Sequence, residues 1–182
     1  MNRVHDFARR SGIWLAMIGL IILFVLASIP PSMLAAGPRL LQSFDVSSSA
    51  PRAVEPTTAL AIQRDYVHAW QSLASALEEN RSDLLGEDFI GGAQQQWQEA
   101  IRAQQQNGLS RRIVDHGHHV RVSFYSPDGS SLEALDTADL EIEYREGSRV
   151  LSTEHVQAHY MVLFTPAENS WKVRILQELP PS

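Results

Sequence analysis

The hydrophobic period of this chain changes once, at Gly108, and that change limits the order in which helices and strands can occur. Before Gly108, apolar residues recur at steps of three and four, which predicts helices over residues 59–79 and 93–107. After Gly108, apolar and polar residues alternate in four stretches separated by the turn sequences SPDG, EGS and PAENS. This pattern predicts four strands joined as an antiparallel meander. Helices followed by strands indicate an α+β domain over residues 57–180, with two to three helices on a curved, mostly antiparallel four-stranded sheet.

The N-terminal part carries a second signal, because residues 11–38 contain no charged side chain. Residues 13–29 are almost wholly apolar, and seventeen helical residues span roughly 26 Å, close to the ~30 Å hydrocarbon core of a bilayer. Pro30 and Pro31 follow, and proline cannot continue the helical hydrogen bonds. We therefore predict a single transmembrane helix over residues 13–29, preceded by a tail over residues 1–12.

The basic residues near this segment predict its orientation. Arg3, Arg9 and Arg10 precede it against Asp6, a net charge of +2, whereas only Arg39 lies within the first dozen residues after it. Basic residues are retained on the cytoplasmic side, so the tail is expected in the cytoplasm and the domain outside it. The expected location is the bacterial inner membrane. A cleavable signal peptide is one alternative, because residues 25–27 and 34–36 resemble cleavage sites, although the apolar run exceeds the usual 7–15 residues. A buried helix of a soluble protein is the other.

Charge and cysteine content exclude several functions. The whole chain carries −6, so the part after the basic N-terminus carries −8, which argues against nucleic-acid binding. There is no cysteine, which excludes disulfides, thiolate metal sites and a cysteine nucleophile. Gly91-Gly92 lacks the lysine and hydroxyl residue of a phosphate-binding loop, and no serine nucleophile motif occurs. No cofactor is expected.

Residues 30–56 are rich in serine, proline and alanine and are predicted to form a semi-flexible linker. Leu40, Leu41 and Phe44 interrupt this composition. They are expected either to form a short helix near the membrane or to rest on the domain or the bilayer.

The order of elements resembles a known superfamily. An amphipathic helix with Trp70 in its middle, a short turn, a second helix, four long strands and the closing sequence NSWKVRILQEL resemble the nuclear-transport-factor-two-like, cystatin-like cone fold. With a membrane anchor, the chain is similar to three groups: the inner-membrane assembly component of type IV secretion systems, the membrane proteins associated with mammalian-cell-entry transporters, and the intermembrane-space domain of plastid-division proteins. The resemblance implies a protein-interaction module, with a protein partner or a second copy of the chain bound.

The same superfamily contains enzymes, which implies a weaker alternative. His118 and Asp136 share the phase of the apolar strand residues, and Tyr160 points the same way, as proton transfer in an isomerase or dehydratase requires. No family motif matches these positions, so a scaffold is the preferred interpretation over an enzyme. The residues expected to line the interior of the cone are Tyr66, Trp70, His118, Val120, Val122, Phe124, Leu140, Ile142, Tyr144, Tyr160 and Val162.

Histidines also cluster in the strand region. Strand alternation places His116 and His118 on one side of the sheet and His119 on the other, while His155 and His159 share one phase of a later strand. Two or three imidazoles could hold zinc or copper, but no metal-binding spacing supports this. The preferred interpretation is that these histidines are partly exposed and hydrogen-bonded, with no metal bound.

Overall fold

The computed structural model describes residues 41–180. The predicted cytoplasmic tail over residues 1–12, the predicted membrane helix over residues 13–29 and the first part of the predicted linker lie outside the described residues. Within residues 41–180, neither helix combines the length and the apolar character that a membrane span requires.

The first helix, α1, covers Pro56–Glu79. It begins three residues before the predicted start because proline is well suited to the first turn, where its missing N–H needs no partner. It ends at Asn80, whose left-handed conformation (φ 57°) closes the last turn. Leu60, an apolar residue near the start of α1, is 66% exposed. The larger residues that α1 buries are Ile62, Tyr66, Trp70, Leu73 and Leu77.

A 3-10 helix over Ser82–Leu85 leads to the second helix, α2, which covers Gly91–Gln106. Gln104 of α2 is buried, and its Nε2 donates a hydrogen bond to the Leu77 carbonyl at 2.6 Å. This hydrogen bond ties α2 to the last turn of α1.

Four long strands follow as an antiparallel meander: β3 (Ser110–Tyr125), β4 (Leu132–Glu146), β5 (Arg149–Pro166) and β6 (Trp171–Glu178). Each strand pairs with its neighbour in the chain, as the alternating pattern and short turns predict. Their apolar sides and the buried stripe of α1 form one core. The α+β class and the packing of two helices on a sheet are confirmed.

The predicted number of four strands is wrong, because two more strands precede α1. β1 (Leu41–Asp45) and β2 (Ala50–Pro51) both pair with β3 in parallel, so the sheet is mixed and has six strands. Both lie in the segment interpreted as a linker. The serine- and proline-rich composition predicts a linker there, but Leu41 and Phe44 pack against the core and hold the segment on the sheet.

Two bulges in β3 change which side chains face the core. The register with β4 shifts between Asp115 and Gly117 and again between Val122 and Phe124. A bulge adds a residue to one strand, so the faces exchange. The prediction that His116 and His118 share a side is therefore wrong: His118 is buried and His116 is exposed.

Candidate functional site

Four side chains form a buried polar network between α1 and the sheet, which we call the His118 network: Tyr66, Asp115, His118 and Asp136. Nδ1 of His118 lies 2.7 Å from Oδ2 of Asp136, and Nε2 lies 3.0 Å from Oδ2 of Asp115. The Tyr66 hydroxyl donates to the same Asp136 oxygen at 2.6 Å. The network thus joins α1, β3 and β4 through side chains in the centre of the domain.

Burial and charge oppose each other at His118. Its side chain is 1% exposed, and burial lowers the pKa of the imidazole, but the hydrogen bonds and charges of Asp115 and Asp136 outweigh burial and raise that pKa to about 9. Burial, together with the nearby Asp136, raises the pKa of the Tyr66 hydroxyl well above its usual value. At neutral pH the network therefore contains a protonated histidine and a neutral tyrosine.

The geometry limits what His118 can do chemically. A general base needs a free ring nitrogen within reach of the proton it takes, yet both nitrogens of His118 face carboxylates. The rings of Trp70 and Tyr66 lie 4.6 and 5.8 Å from the imidazole ring and cover it. This arrangement fits a structural ion cluster.

The structure brings together two of the three residues of the catalytic alternative. His118 and Asp136 are in contact, whereas Tyr160 packs edge-on against Trp70, with ring centroids 5.5 Å apart.

The sequence pattern did not predict that Asp115 belongs to this network. The signal that could have found it is Gly117, because a glycine inside a strand often marks a bulge that changes which neighbours face inward.

A separate cavity of about 360 Å³ lies between the two helices and the inner face of β3, β4 and β5. Its wall is mostly apolar and aromatic, with a few charged side chains at intervals, as in small-molecule and peptide sites. The lining residues are Trp70, Leu77, Trp97, Arg111, Ile113, Leu140, Ile142, Tyr144, Glu154, Val156, Gln157, Ala158, His159, Tyr160, Glu178 and Leu179.

Five of the residues expected to line the interior do line this cavity: Trp70, Leu140, Ile142, Tyr144 and Tyr160. Another five are buried in the core instead: Tyr66, His118, Val120, Val122 and Val162. The expectation for Phe124 is wrong, because the second bulge of β3 turns it outward, where it is 39% exposed, and Tyr125 takes the buried position.

Arg111 is the cation of greatest interest in the cavity. Its Nε donates to Gln104 Oε1 at 2.9 Å, and its guanidinium carbon lies 6.0 Å from the centre of the Trp97 ring. Burial lowers its pKa, yet among residues 41–180 it forms no salt bridge. The adjacent Arg112, in contrast, is paired with Glu143 at 3.5 Å. Arg111 therefore keeps its charge, since arginine stays protonated in proteins, and offers donors to a ligand.

One edge of the sheet runs along the same cavity. β5 has 18 residues and β6 has 8, and their pairing begins only at Tyr160 with Glu178. Within residues 41–180, no strand pairs with the outer edge of β5 from Arg149 to Ala158. We call this segment the free edge of β5. It exposes Val150 and Leu151, and its last residues line the cavity.

The other strand histidines of the described residues lie apart from the His118 network. His119 bonds the Ser43 hydroxyl at 2.9 Å and His159 bonds the Thr137 hydroxyl at 3.1 Å. His116 and His155 stack with their ring centres 5.6 Å apart, beside Glu141.

Comparisons with known proteins support the fold. No family model matches the chain, and no curated protein matches it. Among solved structures, the intermembrane space region of the chloroplast protein ARC6 superposes with a TM-score of 0.58 at 15% identity, covering 72% of this chain and 100% of that one.

Two further structures superpose less well. Aln2 from a Streptomyces species has a TM-score of 0.45 at 11% identity, covering 70% of this chain and 94% of its own. A protein named provisionally as a scytalone dehydratase, from Novosphingobium aromaticivorans, has a TM-score of 0.46 at 11% identity, and the superposition covers 69% of this chain and 89% of that one. The superposition on the ARC6 region, at 15% identity, shows a shared fold alone, and this α+β fold is consistent with the cone that the sequence predicts.

Proposed function

We propose that this domain binds an extended segment of a partner protein, which pairs with the free edge of β5 and inserts an apolar side chain into the cavity. The observation that carries the proposal is the position of the free edge. Residues 154–158 belong both to the free edge and, except for His155, to the cavity wall. A segment paired there would have its inward side chains directed at the cavity.

The backbone supports this mode of binding. An unpaired edge presents a row of N–H and C=O groups to an incoming strand, and such an edge is a liability unless something covers it. In peptide recognition by strand addition, the main chain supplies affinity and pockets for alternate side chains supply specificity. Exposed Val150 and Leu151 extend the contact beyond the cavity.

The cavity wall contains Arg111, Glu154 and Glu178, and Arg111 is the group from which we infer the chemistry of the bound segment. Arg111 lies half-buried against Trp97 and makes no salt bridge within the described residues. A carboxylate next to the inserted side chain would pair with it, and arginine binds carboxylates through two parallel hydrogen bonds. We therefore propose a partner segment that combines an apolar or aromatic residue with a neighbouring Asp, Glu or terminal carboxylate.

The geometry of His118 supports binding in preference to proton transfer. The enzyme alternative needs His118 or Asp136 to reach a substrate, but the imidazole is enclosed by two carboxylates and two aromatic rings. Asp136 borders a second, 240 Å³ pocket, yet it is only 1% exposed.

We further propose that residues 13–29 anchor this domain in the bacterial inner membrane, with residues 1–12 in the cytoplasm. The support is the uncharged N-terminal segment and the arginines before it. A solved structure with the same fold is the intermembrane space region of another protein, and thus a domain that faces a space between membranes.

The orientation is tested with alkaline phosphatase or green fluorescent protein fused after Ser182 in bacteria. We expect active phosphatase and no fluorescence, because the phosphatase matures only outside the cytoplasm. The reverse pattern would contradict the proposed topology.

Binding is tested by selecting displayed twelve-residue peptides on the full chain held in nanodiscs, then measuring their affinity by fluorescence anisotropy. We expect the selected sequences to share an apolar residue next to a carboxylate. Arg111→Met should weaken binding about ten- to a hundredfold, since a hydrogen bond to a charged group contributes about 1.5–3 kcal/mol.

Arg112→Met is the matched control, because it removes the same charge from the adjacent position, where the side chain pairs with Glu143 and is outside the cavity wall. It should leave peptide affinity unchanged. Equal losses in both variants, or the selection of no peptide, would contradict the proposal.

A further inference from the structure

The outer face of the sheet carries a cluster of metal-binding side chains that is separate from the His118 network and the cavity. His116 on β3, Glu141 on β4 and His155 on β5 come from three adjacent strands, and their ligand atoms all lie within 4.8 Å of one another. We propose that these three residues bind a divalent transition-metal ion of the zinc class, which clamps the three strands together.

The pairing of the strands, rather than the spacing in the sequence, creates the cluster. Glu141 and His155 are register partners, and Oε2 of Glu141 lies 2.8 Å from Nε2 of His155. On the other side of β4, the bulge at Gly117 turns the His116 ring outward, over the same carboxylate. Glu141 and His155, which are 25 and 39 positions after His116 in the sequence, therefore lie beside it on one face of the sheet.

The distances suit a metal after small side-chain movements. Zinc bound to imidazole nitrogen and carboxylate oxygen has bonds of about 2.0–2.2 Å, so two ligands of a tetrahedral site lie about 3.3 Å apart. The Glu141–His155 contact is already shorter than this, and His116 is an exposed side chain that can approach by rotation. The backbone positions need not change.

The backbone of His116 is also held in place. Gln42 on β1 donates a hydrogen bond from Nε2 to the His116 carbonyl at 2.9 Å, next to the bulge. A site on paired strands is more precise than one on loops. The bulge and β1 thus fix the direction in which His116 points.

Hydrogen bonds within the described residues do not account for the position of all three side chains in this cluster. Glu141 pairs with His155, but the His116 ring forms no hydrogen bond within residues 41–180 and stacks on His155, with an interplanar angle of 17°. His119 and His159, on the contrary, each bond a hydroxyl group, and neither joins a ligand cluster.

The donor set defines the class of ion. Two imidazoles and one carboxylate suit zinc, copper and nickel, whereas calcium and magnesium require oxygen donors. Three protein ligands leave at least one coordination position, which water can fill. The backbone of His155 belongs to the free edge of β5, but the metal site uses its side chain on the outer face, so this proposal does not rest on the function proposed above.

The test is isothermal titration of Zn²⁺ alone into the full chain in detergent, purified with a tag that contains no histidine. We expect one ion per chain. His116→Gln, Glu141→Gln and His155→Gln should each weaken Zn²⁺ binding about tenfold or more, because even second-shell changes cost 10- to 100-fold in metal sites. Mg²⁺ should not compete at millimolar concentration.

His119→Gln and His159→Gln are the controls, since they remove strand histidines outside the cluster. The melting temperature is a second readout, which detects loss of folding. Zn²⁺ should raise it equally in the wild type and both controls, and should raise it clearly less in the three cluster variants at the same Zn²⁺ concentration. Zn²⁺ binding that survives in the cluster variants, or that the controls weaken equally, would overturn the proposal.

Discussion

A histidine held between two carboxylates is costly to bury and costly to disrupt, and His118 is in that position. Desolvating the three charges opposes folding, but removing one partner from a buried ion cluster leaves an uncompensated charge. The short contacts to Asp115 and Asp136 and the donated Tyr66 hydroxyl satisfy most of the network. The residues that resembled catalytic candidates in the sequence are therefore well explained as core structure.

Asp136→Asn tests this explanation. Breaking a buried pair costs about 3–5 kcal/mol, so the free energy of unfolding in urea should fall by about 3 kcal/mol. Asp139→Asn is the matched control, because Asp139 is an exposed aspartate three residues further along β4. It should change stability little. An Asp136→Asn protein of normal stability that loses an enzymatic turnover would favour the proton-transfer alternative.

Alternation along the strands predicted that His118 and Asp136 face inward, and both do. It did not predict Asp115, because a two-residue period places Asp115 on the opposite side from His118. The extra residue at the bulge breaks this period. The sequence did not predict the position of Arg111 for a different reason. Its environment is formed by α2 and β4, and no local sequence pattern shows that these elements lie next to it.

At the scale of elements, the first bulge of β3, at residues 115–117, is where the side chain of Gln42 on β1 packs against β3. Gly117 has φ 140°, a conformation that few residues other than glycine adopt, and a Cβ built there would collide with the side chain of Gln42. Its backbone N–H bonds Asp115 at 2.8 Å. One glycine thus allows both the packing of Gln42 and the inward position of Asp115.

Gly117→Ala should therefore lower the free energy of unfolding by about 2 kcal/mol, through backbone strain and the collision with Gln42. Thermal denaturation followed by circular dichroism measures the change. Gly147→Ala is the control for backbone strain alone, because Gly147 has φ 58° and open space around it. Adding Gln42→Ala should restore part of the loss at Gly117. If Gly117→Ala costs no more than Gly147→Ala, the close packing is unimportant.

The element pattern was predictable only where it was strongly periodic. The two helices and the four long strands were found because each carries several repeats of its period. β1 and β2, with 5 and 2 residues, are too short for a period and lie in a composition typical of linkers. The unequal lengths of β5 and β6, which create the free edge, follow from pairing and not from either strand alone.

At the scale of the whole domain, residues 41–180 contain three separate features. The His118 network stabilises the interior, the cavity and the free edge of β5 face a proposed partner, and the outer face carries the proposed metal cluster. The superposition on the ARC6 region, at 15% identity, shows a shared fold and does not extend to the network, the cavity or the metal cluster.

The central claim is that a partner segment pairs with the free edge of β5 and reaches Arg111. Hydrogen exchange measured by mass spectrometry on the full chain, with and without a selected peptide, tests it most directly. In the free protein, the account predicts rapid exchange of those amides of residues 149–158 that point away from β4. It predicts strong protection of the same amides when the peptide binds, and much weaker protection at the same peptide concentration in Arg111→Met. Protection confined to another edge of the sheet, or slow exchange of these outward-pointing amides before any peptide is added, would contradict it.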